Sequence, residues 1–264
     1  MSKSIKVALI LGAILIGIGL IIVLSAGFAS GWHISEIEWE SNVYTSESDA
    51  QITDIDLEFS AGTLKVEFYD GDVIRVEYPH NRRFTTTFSV SGGTLHIETT
   101  PIRWFGGIMW YDKIPQTKMY IPQNMILGLK LKINAGTVSF GAGTFGNVNV
   151  KLNAGSMSME YVKCNKFDVE IGAGTLNAKH VVSNSFKADL SAGSLNVTAL
   201  QCADIDLDLS AGSTKIGIVG KKSDYTIRTN VSAGSCNVSN QNGDSKRLTV
   251  DVSAGSVIVE FAEQ

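Results

Sequence analysis

Residues 153–194 read NAGSMSMEYVKCNKFDVEIGAGTLNAKHVVSNSFKADLSAGS. Three short segments in it, Asn-Ala-Gly-Ser, Gly-Ala-Gly-Thr and Ser-Ala-Gly-Ser, stand 19 residues apart, and apolar residues alternate with polar ones between them. Outward from this stretch the same glycine recurs at Gly62, Gly136, Gly155, Gly174, Gly193, Gly212, Gly234 and Gly255. The spacing is 19 residues from Gly136 through Gly212, then 22 and 21. A fixed period of this size marks a solenoid, in which a repeat buries its apolar face only against its neighbours.

Each glycine can be taken as position 0. Position −3 reads Phe59, Ile133, Leu152, Ile171, Leu190, Leu209, Val231 and Val252. Positions −5 and −7 are apolar in the same way, and only Thr229 breaks the rule in these three columns. Past the glycine, positions +2 and +4 are the apolar ones, as in Met157 and Met159 or Leu195 and Val197. Period-two alternation is the strand signal. A change of parity that keeps one inner face requires a corner, and glycine supplies the backbone angles for it. The alanine at −1 is expected to continue the inward set, and the Thr or Ser at +1 to stack in hydroxyl ladders. The expected fold is all-β: a single-domain β-solenoid of 19-residue coils with parallel stacking, preceded by one transmembrane helix.

The interval from Gly62 to Gly136 departs from the period but holds strand-like runs at 73–78, 84–90, 94–98 and 118–121. Ser91-Gly92-Gly93 lies between two of them and reads as a hairpin turn. An irregular insertion is expected near residues 80–117.

Residues 7–29, VALILGAILIGIGLIIVLSAGFA, carry no charge and no proline. That length suffices to span a hydrocarbon core of about 30 Å. Lys3 and Lys6 precede it, and Glu36, Glu38 and Glu40 follow. The positive-inside rule then sets residues 1–6 in the cytoplasm, 7–29 as a signal-anchor, 30–49 as a linker and 50–264 as an extracytoplasmic domain. The rival reading is a signal peptide cleaved near Gly27-Phe28-Ala29.

The 264-residue chain has a formal net charge of −4, and both lysines before Glu36 lie in the N-terminal tail. An acidic body argues against a nucleic-acid partner, which needs a basic face. Cys164, Cys202 and Cys236 have no metal-ligand spacing. Cys164 and Cys202 are two periods apart, with Ser183 in the column between them. Two coils separate Cα atoms by about 9.6 Å, beyond the roughly 7 Å a disulfide spans, so both are expected to stay free.

No cofactor or metal site is expected. Glu170, Asp189 and Asp208 at −4 form an acidic column, which is either a cation site or, with Lys187 beside it, a solvated charged face. His33, His80, His96 and His180 are not at metal spacing. No nucleophile elbow, P-loop or zinc-protease motif is present.

The aromatic stretch Trp104, Phe105, Met109, Trp110 and Tyr111 lies where the period fails. Large apolar residues in a loop either cap the core or contact a membrane, a glycan or a protein. At the other end, Val257–Phe261 is the last coil, with Ile258 at an outward place. Its unpaired edge would suit end-to-end self-association.

The chain resembles a bacterial family of β-strand-repeat proteins named as candidate adhesins. The corners Asn153–Ser156 and Ser191–Ser194 carry the resemblance, as does Lys118-Met119-Tyr120-Ile121-Pro122 ahead of the regular repeats. The resemblance covers residues 50–262 and implies a β-solenoid, no catalytic residues and, for some relatives, a part in cell-envelope stress responses. Residues 101–112 have no counterpart in that pattern. The function expected is a non-enzymatic cell-surface module, adhesin-like or stress-sensing, with an envelope protein or glycan as partner and the N-terminal helix in the membrane. The alternatives are an enzyme on envelope polysaccharide and a structural spacer.

Overall fold

The computed structural model describes residues 39–47, 51–80, 84–101 and 115–262. The apolar segment 7–29, His33 and the loop residues Trp104, Phe105, Met109, Trp110 and Tyr111 lie outside the described residues. Among the described residues, no helix is long and apolar enough to cross a membrane.

The irregular part contains β1 (Glu40–Thr45), β2 (Asp54–Phe59), β3 (Thr63–Tyr69), β4 (Arg75–His80), β5 (Phe84–Ser91), β6 (Thr94–Pro101) and β7 (Thr117–Pro122). The regular part follows with β8 (Leu127–Ile133), β9 (Thr137–Leu152), β10 (Ser156–Lys163), β11 (Lys166–Ile171), β12 (Thr175–Val182) and β13 (Ser185–Leu190). It closes with β14 (Ser194–Gln201), β15 (Asp204–Leu209), β16 (Ser213–Val219), β17 (Tyr225–Cys236) and β18 (Lys246–Ala262). Successive coils pair in parallel at one residue per column, as in Phe167 with Phe186 and Met157 with Leu176. The fold is a β-solenoid.

The inner face is the one the alternation selects. Position −7 is buried in every coil, and positions −5 and −3 are buried in every coil but one. The coils of Gly155, Gly174 and Gly193 also have a third, short face. Parity switches again at Glu160–Tyr161 and Lys179–His180, both exposed, so that Val162, Val181 and Leu200 turn inward. Cys164, Ser183 and Cys202 follow in the next inward column.

The corners stack on one another. Ser156 N–H donates to Gly136 O at 2.8 Å, and Ser194 N–H to Gly174 O at 2.9 Å. Gly136 has φ 123°, and a Cβ there would meet the Gly62 backbone, with its nitrogen at 3.0 Å. At Gly174 a Cβ would strike Leu152 Cδ2 at 2.7 Å. The flanking alanines do not continue the inward set: Ala135, Ala173 and Ala192 are exposed. The close approach of stacked backbones constrains the glycine, and alanine merely fits outside the bend. Hydroxyls at +1 form the expected ladder, with Thr137 and Ser156 at 3.2 Å and Ser194 and Ser213 at 3.3 Å.

Stack order departs from chain order at both ends. β2 and β3 lie between β8–β9 on one side and β6–β7 on the other, all in parallel, so part of the irregular stretch forms a coil of its own. Antiparallel strands finish that end: β5 on β6, then β4 on β7 and β1 on β4. At the other end β18 pairs with β15 and β16 on one edge and β17 on the other. The corner of Gly255 therefore sits on Gly212, and that of Gly234 sits outermost on Gly255. The expected bare edge at Val257–Phe261 is corrected in part: β17 is the terminal strand and covers β18 as far as Val257, and beyond that the Asn237 side chain bonds the Val259 backbone. The exceptions to the inner columns, Thr229 and Val231, both belong to β17, where no further coil covers them.

Candidate functional site

The end of the stack finished by antiparallel strands carries an aromatic closure. Tyr44 of β1 and Phe88 of β5 stack with ring centroids 4.2 Å apart, and Tyr78 of β4 meets Phe88 at 5.0 Å. Trp39 lies edge-on to Phe84 at 5.9 Å. Tyr44, Tyr78 and Phe88 also pack on the core, and burial lifts the Tyr44 hydroxyl above its ordinary pKa, with Glu47 adding to the shift. This closure bridges β4 and β1, beyond β7, to β5, beyond β6. The rings named here all belong to described residues, whereas Trp104, Phe105, Met109, Trp110 and Tyr111 lie outside them.

A second aromatic group faces outward from β3 and β7. Glu67, Phe68, Tyr69, Tyr120, Gln123, Gly141 and Ala142 line a surface depression of about 400 Å³. The Tyr69 and Tyr120 rings stand edge to face at 6.1 Å, and the Arg75 guanidinium lies 4.9 Å from the Tyr120 centroid. Tyr69 Oη donates to Val73 O. A Cβ at Gly143 would overlap the Phe68 ring, so that glycine makes the room. An apolar ring surface with a carboxylate and an amide at its rim is suited to stacking and hydrogen bonding. The sequence signal was available: Tyr120 stands between the inward Met119 and Ile121, so it had to face out.

The outer face of the long sheet is charged, and much of it is paired along the stack. Register places Glu170, Asp189 and Asp208 side by side and continues the column to Asp251. Lys151 donates to Glu170 at 2.6 Å, and Lys187 lies 3.3 Å from Asp189 and in register between Asp168 and Asp206. Burial raises the Asp206 pKa although Lys187 opposes the shift. Lys132 at 2.8 Å and Asn134 at 2.9 Å donate to Glu58 and hold it below its ordinary value. Among the described residues, no group of three His, Cys, Asp or Glu is placed to hold a metal ion.

One arrangement invites comparison with a hydrolase. Ser91 Oγ is 3.2 Å from His96 Nε2, and His96 Nδ1 is 3.8 Å from Asp56 Oδ2. The second distance is beyond hydrogen-bond reach, and Lys130 donates to the same carboxylate oxygen at 2.9 Å. All of these groups are exposed or half-exposed. The arrangement is a surface charge network, without the buried carboxylate that orients a catalytic imidazole. His180 lies on the second corner with its ring 6.5 Å from Tyr161, and His80 ends β4.

The cysteines are free. Cys164 N–H donates to Val182 O at 2.9 Å and Ser183 N–H to Gln201 O at 3.0 Å, which keeps the three side chains one coil apart. Burial pushes the Cys164 thiol up to about 12 and raises that of Cys202.

No curated protein matches the sequence. Among solved structures the chain is similar to a candidate cell adhesion protein from Clostridium sporogenes, with 11% identity and a TM-score of 0.42 over 85% of this chain and 100% of that one. It is also similar to a candidate lipid binding protein from Parabacteroides distasonis, with 14% identity and a TM-score of 0.42 over 85% and 96% of the two chains. For a candidate adhesin from the same organism the values are 12% and 0.39 over 86% and 98%. The Toastrack DUF4097 family profile matches residues 52–264, which takes in β2 through β18, and the chain belongs to that family.

Proposed function

We propose that this chain is a non-enzymatic binding or envelope-stress-sensing module. It is held at the outer side of a bacterial membrane by residues 7–29, with a glycan or an envelope protein as partner. The observation that supports this is the aromatic closure by Tyr44, Tyr78, Phe84 and Phe88. A stack end must be covered. Described residues outside the loop supply cover of their own, and this reading assigns Trp104, Phe105, Met109, Trp110 and Tyr111 to contact. Aromatic side chains without a capping task are contact residues, because each offers an apolar ring and, in Trp and Tyr, a polar edge. The Tyr69–Tyr120 depression extends the same chemistry onto the solenoid wall.

The test is co-sedimentation with peptidoglycan fragments, and separately with liposomes, of the wild-type chain and a Trp104→Ala, Trp110→Ala variant. Binding about tenfold weaker in the variant, or more, with an unchanged melting temperature supports the reading. Equal binding of both chains, or no binding of either, overturns the loop as the contact.

A further inference from the structure

We propose that β18 is an exchangeable strand, and that a second copy of this chain can insert its own β18 into the slot between β15–β16 and β17. After β16 the chain does not take the next position in the stack. It turns at Gly220, φ 139°, passes a single 3₁₀ turn at Lys222–Asp224, and lays down β17 two levels away. The vacant level is then filled from the C-terminal side. Arg247 N–H donates to Ala203 O at 2.8 Å, Ala254 N–H to Ser210 O at 2.9 Å and Ser256 N–H to Gly212 O at 3.1 Å. Among the named strands β17 pairs with β18 alone, while on its other edge Ile227 and Gln241 exchange backbone hydrogen bonds; what crosses the level independently of β18 is the Tyr225 hydroxyl, which donates to Cys202 O at 2.6 Å.

The occupant is specified by chemistry as well as by shape. The slot demands Leu248, Val250 and Val252 on its inner face, all buried. Asp204 takes a two-point contact from Arg247, at 2.8 Å to each oxygen, and Lys215 pairs with Glu260 at 2.9 Å. β18 carries Arg247, Leu248, Val250, Val252 and Glu260, and the slot carries Asp204 and Lys215, so the strand of a second copy meets every requirement the first one does. Exchange of an identical element replaces each contact in kind, which makes it a low-cost route to a dimer.

The connection permits it. Residues 239–245, Ser-Asn-Gln-Asn-Gly-Asp-Ser, contain no proline and no apolar side chain; in the closed chain Asn240, Gln241 and Asn242 bond Thr229, Ile227 and Arg228 of β17, and the β17 of a second copy offers the same partners. The step breaks and remakes only non-covalent contacts. It differs from edge-to-edge association because here each copy completes the other's core.

The experiment uses the full chain with Ser235→Cys and Ser256→Cys in a Cys236→Ser background. The two hydroxyls are 3.1 Å apart on β17 and β18, so the cysteines face each other in neighbouring strands. Tagged and untagged copies are refolded together at high concentration, separated by size and oxidised. Exchange predicts that the dimer fraction holds disulfides between tagged and untagged chains while the monomer fraction holds them within one chain. A second variant, lacking Asn240–Asn242, should raise the dimer fraction about tenfold, because the shortened return strains the closed form while the loss of the bonds to β17 falls on both forms alike. For the unmodified chain, native mass spectrometry of isotopically mixed dimers gives an independent reading: exchanged dimers trade subunits over hours, edge-paired ones within seconds. Intrachain disulfides alone in the dimer, rapid subunit trading, or no dimer from either variant would each overturn the proposal.

Discussion

The hydroxyl of Tyr225 donates to the carbonyl oxygen of Cys202 at 2.6 Å, across the level that β18 occupies. Both groups are buried, and the Tyr225 ring also packs on Phe261 at 5.6 Å. Tyr225→Phe leaves the Cys202 carbonyl without that donor. A loss of about 1–3 kcal/mol is expected in urea unfolding, with little change in the slope of the transition.

Stability should fall at alkaline pH. Burial pushes Cys164 from an ordinary 9.0 to about 12 and Tyr225 from an ordinary 10.0 to about 12. Both folded values are raised, so the unfolded chain loses its protons first. The stabilisation is complete below pH 9 and drains away as pH rises toward about 12. Denaturation midpoints measured from pH 8 to 11.5 should decline, and Cys164→Ala should flatten the part of the curve nearest pH 9.

Corner glycines should separate sharply from other glycines. Gly136→Ala places a Cβ against the Gly62 backbone at φ 123°, and about 2 kcal/mol or more should be lost. Gly146→Ala is the control, since its nearest neighbour would be 3.8 Å away. A melting temperature unchanged by Gly136→Ala would contradict the stacked-corner account.

Thiol chemistry should rank the three cysteines. Cys236 is half-buried on the terminal strand, whereas Cys164 and Cys202 are buried with raised pKa values. A thiol reagent added to the native protein should modify Cys236 first, and the buried pair only as fast as the stack opens. Mass mapping after partial labelling checks the order.

The aromatic closure makes a prediction about stability that is independent of binding. Phe88→Ala removes the ring that touches both Tyr44 and Tyr78, and about 2–4 kcal/mol should be lost. Removal of residues 101–112 with a short Gly-Ser replacement should change the melting temperature far less. The opposite ranking would assign the closing role to the loop.

Much of the architecture was legible because a solenoid is a local code. Alternation in 166–171 and 175–178, with one parity switch at Gly174, is sufficient to orient the side chains of those two segments. The third face was harder to see: Val162 and Cys164 follow two exposed residues, and so short a run carries no periodic signal. The corner alanine misled because small size is compatible with either side of a bend. For the Tyr69–Tyr120 depression, parity placed Tyr120 outside, but its meeting with Tyr69 depended on which strands became neighbours.

The repeat by itself determined the solenoid, its inner columns and the parallel register, since these follow from the period and from backbone sterics within one coil. The order in which coils stack was decided only in three dimensions. Coils of one type present nearly the same edges, so any of them satisfies the hydrogen bonds of its neighbour. β18 takes the place beside β15 and β16, with Val250 and Val252 in register with Leu207 and Leu209 and Arg247 on Asp204, whereas β17 has Thr229 and Val231 at the matching positions. Thr229 gave a hint of it, as the polar exception in the −7, −5 and −3 columns, and it lies on the terminal strand.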